Sequence, residues 1–220
     1  MSEIAPAGRQ AAPAARPAFP RHAATLILWR RNHAGVVEVL MGMRAAGHRF
    51  MPNRLVFPGG RVDLADRAAA AATELRSATR AALEHRAPPR LARALAIAAA
   101  RELEEETGLT LGGAVPRLDG LEYLCRAVTP PTSPIRFNAR FLIAPAEAAE
   151  GRLAGSGELE GLGYMPLDTL LDLPVAPITG KVLAEFRDWL AMSPEQRERR
   201  ALIWFRGRDN RRVDRPEAPG

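Results

Sequence analysis

The chain has 220 residues, long enough for one domain with a full core, and an aromatic content of only 5% makes that core aliphatic. A formal net charge of +6 allows anionic partners, but the arginines that supply it are scattered rather than banded, so compositional bias accounts for it more simply. The single cysteine, Cys125, excludes an internal disulfide framework and a multi-cysteine zinc ribbon. No apolar run approaches the ~18–20 residues that span a bilayer, and no leader pattern opens the chain, so a cytoplasmic enzyme is expected.

Pro6, Pro13, Pro17 and Pro20 interrupt an Ala/Pro/Arg-rich start, so residues 1–22 read as a disordered tail and order is expected from Ala23. Thr25–Trp29 and Val36–Met43 read as a hairpin around Asn32 and Gly35, and Arg54–Phe57 as a third strand stopped by Pro58-Gly59-Gly60. Ala65–Arg86 is helical in propensity up to Pro88-Pro89, and a second helix is expected from Arg90 to Thr107, ended by Gly108.

Leu121–Thr129 and Arg136–Ile143 follow as strands, and Gly161–Pro166 as a shorter one. Pro177–Leu190 has helical spacing, and Ala201–Phe205 is a terminal strand candidate. The remaining polar stretch, 207–220, reads as a frayed tail. With no repeat, residues 23–206 form one domain, expected as an α/β sandwich with a mixed β-sheet between helices.

The chemistry concentrates in Arg101–Leu109, R-E-L-E-E-E-T-G-L. On a helix, Glu102, Glu105 and Glu106 fall within an arc of roughly 100°. Like charges at these spacings repel, and a helix C-terminus also disfavours anions, so the cluster needs a cation. Hard divalent ions take such oxygen ligands, and Arg101 can orient a carboxylate. A bare E-x-x-E-E is more simply a solvated acidic face; the surrounding residues reverse that preference. Cys125 reads as a buried thiol. His22, His33, His48 and His85 lack metal-ligand spacing.

Arg101, Glu102, Leu103, Glu105, Glu106, Gly108 and Leu109 match the second half of the Nudix signature G-x5-E-x7-R-E-U-x-E-E-x-G-U, so the chain resembles the Nudix hydrolases. Phe57-Pro58-Gly59-Gly60 resembles the usual approach to that box. Asp66 stands near the position of the first Glu, but it precedes Arg101 by 35 positions instead of eight, so 27 residues interrupt the box. The inserted segment, about 67–93, is expected to be helical and to form a lid or extend the substrate pocket. Leu40, Arg44, Ala45, Arg49 and F-P-G-G match the element that marks coenzyme A diphosphatases, and Met41, Gly42 and Asn53 depart from it. The split box and T-P-P-T-S-P-I-R-F also resemble the peroxisomal branch of those enzymes.

The resemblance implies hydrolysis of coenzyme A or acyl-coenzyme A to 3′,5′-ADP and (acyl-)4′-phosphopantetheine by a metal-activated water. The implied metal is Mg²⁺ or Mn²⁺, held by Glu102, Glu105, Glu106 and the Gly60 carbonyl. The implied catalytic residues are Arg101, Glu102 and Glu105, with Glu158 as an added carboxylate whose rivals are Glu147, Glu150 and Glu160. Arg44, Arg49 and Arg136 are the expected substrate-binding residues. A small nucleotide-type substrate is the expected partner, a homodimer stays open, and neither membrane nor nucleic acid is expected. The alternatives are another nucleoside diphosphate derivative (ADP-ribose, a dinucleotide, a nucleotide sugar) and a nucleotide-sensing module that does not cut.

Overall fold

A computed structural model describes residues 18–45, 47, 53–207 and 210–214. In chain order the strands are β1 (Arg21–Arg31), β2 (Val37–Arg44), β3 (Leu55–Val56) and β4 (Gly59–Arg61). A 3-10 turn (Ala65–Arg67), α1 (Ser77–Glu84) and α2 (Pro89–Thr107) follow, then β5 (Leu109–Leu111), β6 (Glu122–Val128) and β7 (Phe137–Pro145). A second 3-10 turn (Ala146–Ala148), β8 (Ala149–Gly151), β9 (Leu159–Pro166), α3 (Leu167–Asp172), α4 (Pro177–Leu190), α5 (Pro194–Arg199), β10 (Leu202–Arg206) and β11 (Asn210–Asp214) complete the described chain.

The main sheet runs β11-β10-β6-β7-β1-β2-β3, with β4 also paired to β1 and β9 to β2. The β1–β7 and β10–β6 pairs are parallel and the others antiparallel, so the sheet is mixed. The period-2 alternation of its strands divides the core into two layers. Ala24, Leu26, Leu28, Leu40 and Leu142 pack with Leu95, Ala99 and Leu103 of α2. Ile27, Val39, Met41, Phe141 and Ile143 pack with Val182, Leu183 and Phe186 of α4 on the opposite face. This is the expected α/β/α sandwich. Cys125 is fully buried in the second layer, and burial pushes its thiol above the ordinary range, consistent with a structural role.

The β1–β2 hairpin turns where Asn32 Oδ1 accepts the backbone N–H groups of Ala34 and Val36. Pro89 sits at the start of α2, where a missing N–H costs nothing. Gly108 ends α2 with φ 73°, a left-handed conformation that suits glycine, and its N–H bonds the Glu104 carbonyl.

Four expectations are corrected. Order begins earlier than Ala23, because Arg21 and His22 are already paired with Phe137 and Asn138 of β7. Gly59-Gly60 does not end the sheet: it forms β4 against Ala23–Thr25. The segment from Ala65 is helical only at its ends, because Thr73 ties an extended stretch to 117–119. Its hydroxyl donates to Asp119 Oδ1 and accepts from Leu118 N–H, and a β-bridge joins Thr73 to Arg117. The polar 210–214 stretch is a strand, since β10 supplies a ladder and Arg86 grips Asp214 at 2.8 Å. Residues 1–17 and 215–220 of the expected tails lie outside the described residues.

Candidate active site

The last turns of α2 meet β4 where two glycines allow a close approach. A Cβ on Gly60 would lie 2.3 Å from Glu102 Oε1, so only glycine lets that carboxylate settle there. Beside it, the Gly59 N–H donates to Glu106 Oε2 at 2.8 Å. The β2–β9 ladder pairs Arg44 with Leu159 and so brings Arg44 and Glu158 to the same place. Arg44 Nη2 stands 4.0 Å from Glu106 Oε1.

Arg101 organises the rest. Its guanidinium makes a two-point contact with Asp66 (3.0 and 3.2 Å) and donates to the Arg61 carbonyl at 2.9 Å. The same group reaches Glu102 Oε1 at 2.9 Å and Glu105 Oε2 at 2.8 Å. Asp66 is buried and also accepts the Asp63 N–H at 2.7 Å. Despite the long interruption, Asp66 therefore meets the arginine of the box in space.

These groups line one side of a cavity of about 490 Å³. Glu102, Glu105, Glu106 and Glu158 supply its acidic side, and Val56, Phe57, Phe137, Phe141 and Ile178 its apolar wall. Burial, opposed by the Gly59 N–H and Arg44 and reinforced by Glu102 and Glu158, pushes the Glu106 carboxyl up to about 7. Burial, opposed by Arg101 and reinforced by Glu105 and Glu158, also raises Glu102. Carboxylates that burial and, to a lesser degree, neighbouring anions keep from ionising are a donor set that a divalent cation would relieve. Among the described residues no three His, Cys, Asp or Glu side chains are gathered as a closed ligand cluster. Arg101 and the Gly59 N–H hold the carboxylate oxygens in their present orientation.

The placement of the sequence-predicted residues is therefore uneven. Arg44, Gly60, Arg101, Glu102, Glu105, Glu106 and Glu158 all line the cavity, whereas Glu147, Glu150 and Glu160 do not. Arg136 is corrected: its guanidinium donates to the backbone carbonyls of Thr129 and Ala18, where it fastens the chain entering β1. Arg49 lies outside the described residues. The inserted segment does not lid this cavity; α1 packs on α2 and β6 instead. Sequence reading missed the aromatic wall, because Phe57, in the connection between β3 and β4, is far in sequence from Phe137 and Phe141 of β7. It could have been sought only in the alternation of β7.

Comparison with known proteins agrees with this architecture. Residues 93–186 match the model of the NUDIX domain, and the match begins just where the insertion ends. A NUDIX hydrolase from Alicyclobacillus acidocaldarius is 27% identical with a TM-score of 0.58, over 76% of this chain and 90% of that one. The NUDIX domain of Shewanella oneidensis NrtR, solved with ADP ribose, is 16% identical with a TM-score of 0.51, over 79% and 90%. A MutT protein from Methanosarcina mazei is 17% identical with a TM-score of 0.50, over 79% and 98%. No curated protein matches. A mixed sheet between helices, with a carboxylate-bearing helix end facing a cavity, defines an enzyme of the Nudix hydrolase fold. Residues 93–186 thus match the NUDIX domain model, and the fold of the chain is similar to that of NUDIX hydrolases.

Proposed function

We propose that the protein is a Mg²⁺- or Mn²⁺-dependent diphosphatase whose substrate is coenzyme A or acyl-coenzyme A. The products would be 3′,5′-ADP and 4′-phosphopantetheine or its acyl form. The observation that carries the hydrolytic reading is the convergence of Glu102, Glu105, Glu106 and Glu158 on one side of a cavity whose opposite wall is apolar. The choice of coenzyme A rests on the Leu40–Gly60 element, whose Arg44 lies in the cavity beside Glu106.

Glu102, Glu105 and Glu106, with the Gly60 carbonyl, would hold the cation. When bound it supplies charge neutralisation on the diphosphate oxygens and lowers the pKa of water. The chain's own groups do the rest. Glu158 accepts the proton of the attacking water. Its carboxylate lines the cavity close enough to Glu102 and Glu106 to raise both of their carboxyls. Arg101 positions Glu102 and Glu105 rather than touching substrate, and Asp66 fixes Arg101. Arg44 orients a phosphate, and Arg49, outside the described residues, stays in the proposed set on the resemblance alone; Arg136 is dropped from that set. The Phe57, Phe137 and Phe141 wall receives an apolar or stackable part of the substrate and excludes water.

A substrate panel with Mg²⁺ and with Mn²⁺ tests the reading: coenzyme A, acetyl-coenzyme A, ADP-ribose, NADH and a diadenosine polyphosphate. Fastest release of 4′-phosphopantetheine from coenzyme A, or of its acyl form from the thioester, is expected. Faster cleavage of ADP-ribose or a dinucleotide would move the substrate while keeping the chemistry. Binding without cleavage of any member would leave a sensing module.

A further inference from the structure

Beside the carboxylate cavity lies a second recess of about 390 Å³, lined by Arg21, His22, Arg61, Val62, Asp63, Arg67 and Leu91. Arg61 and Asp63 line both spaces, so the two adjoin. Four chain segments meet at this corner: the start of β1, the end of β4, and the two ends of the insertion, which carry Arg67 and Leu91. Among the described residues, Arg21, Arg61 and Arg67 form no salt bridge, and Asp63 is the recess's single carboxylate, 4.0 Å from Arg101.

Behind His22, and not itself part of the recess lining, stands a buried cation. Arg140 on β7 is 1% exposed, and among the described residues its donors meet neutral acceptors: the carbonyls of Asn138 and Arg86, and His22 Nδ1 at 3.3 Å. A buried guanidinium without a carboxylate is costly, and an anion brought close would offset that cost. Because arginine can only donate, His22 Nδ1 must accept, and the hydrogen of the imidazole then sits on Nε2. His22 is thereby held neutral, in agreement with the downward push on its pKa from burial and from Arg140, Arg126 and Arg67. The Nε2–H is left as the donor that His22 offers a ligand.

We infer that this recess is a second anion site, a subsite for a phosphate monoester, built by Arg21, His22, Arg61 and Arg67 over the buried charge of Arg140. It rests on the diphosphatase reading only in its simplest use: the anion would be a phosphate carried by the substrate beyond its diphosphate, as coenzyme A carries on its ribose. The insertion then has a purpose, since it supplies Arg67 and Leu91 to the recess and, through the Arg86 carbonyl, one of the acceptors that hold Arg140.

The test is equilibrium binding of adenosine 3′,5′-bisphosphate and of adenosine 5′-monophosphate to the full chain in Mg²⁺ buffer. Wild type, Arg21→Gln and Arg67→Gln are compared; both arginines are exposed, and their replacement leaves the core intact. Wild type is expected to favour the bisphosphate, and each substitution to lower that preference by about tenfold, the loss of one charge-assisted contact. Inorganic phosphate is titrated against the bound bisphosphate as a second arm. Displacement at comparable concentration marks a site for free phosphate, and weak displacement marks a substrate's own phosphate; both require the recess. A change of less than twofold in the preference for both variants overturns the site. If coenzyme A is not hydrolysed but the preference still collapses in the variants, the subsite stands and only the substrate assignment falls.

Discussion

Replacing Glu106 with glutamine should stabilise the protein in a pH-dependent way while removing its activity. The side chain is 2% exposed, accepts the Gly59 N–H and is held at about 7 mainly by burial. A carboxyl whose folded pKa lies above its unfolded value contributes stability that is fully present below the unfolded pKa. That contribution is lost as the pH rises through about 7. The rise from 4.5 to about 7, at about 1.4 kcal/mol for each tenfold in proton affinity, amounts to about 3 kcal/mol lost between pH 4.5 and 8. Glutamine keeps an oxygen for the Gly59 N–H and never ionises, so it escapes that loss. For a domain of this size the variant should melt higher than wild type by about 6–10 °C at pH 8, and by far less at pH 5. Millimolar Mg²⁺ should raise the melting temperature of wild type at pH 8 and leave the variant nearly unmoved. Thermal unfolding at both pH values, with and without Mg²⁺, reads all of this. An equal melting difference at pH 5 and pH 8 would refute the strained carboxylate.

Three further outcomes follow from the same geometry. Gly60→Ala puts a Cβ into the Glu102 carboxylate and should lower kcat about tenfold or more, whereas a kcat within twofold of wild type would show that Glu102 is free to relocate. Asp66→Asn removes the charge from a buried two-point partner of Arg101 and should destabilise by about 3 kcal/mol in urea unfolding; a loss under about 1 kcal/mol would mean that Arg101 is held otherwise. Phe141→Ala opens the wall and the core together, with about 3 kcal/mol of stability lost. It should also raise KM more than it lowers kcat; an unchanged KM would remove the wall from substrate binding.

Much of this was legible in the sequence because the responsible forces are local. α2 and α4 announce themselves through apolar spacing, proline at their starts and, for α2, Gly108 at its end. The acidic face of α2 follows from helix geometry alone, whereas Glu158 is a candidate only through the family resemblance, with Glu147, Glu150 and Glu160 as rivals. Other features depend on partners distant in sequence. Gly59-Gly60-Arg61 has no strand propensity and pairs only because β1 presents its edge. The alanines after Arg67 favour a helix, but the bonds of Thr73 to 118–119 hold the chain extended. Asn210–Asp214 looks like a tail until β10 and Arg86 provide its contacts. The basic corner draws on β1, β4, β7 and the insertion, so no window of sequence could display it.

The central claim is that the carboxylates at the end of α2 perform cation-dependent cleavage of a diphosphate bond. Its most direct test is Mg²⁺-dependent turnover of coenzyme A by Glu105→Gln beside wild type. Glu105 is the most exposed of the three carboxylates, so its replacement leaves the fold undisturbed. The account predicts a loss of about a hundredfold or more in kcat with an unchanged melting temperature. Turnover comparable to wild type at saturating Mg²⁺ would contradict it.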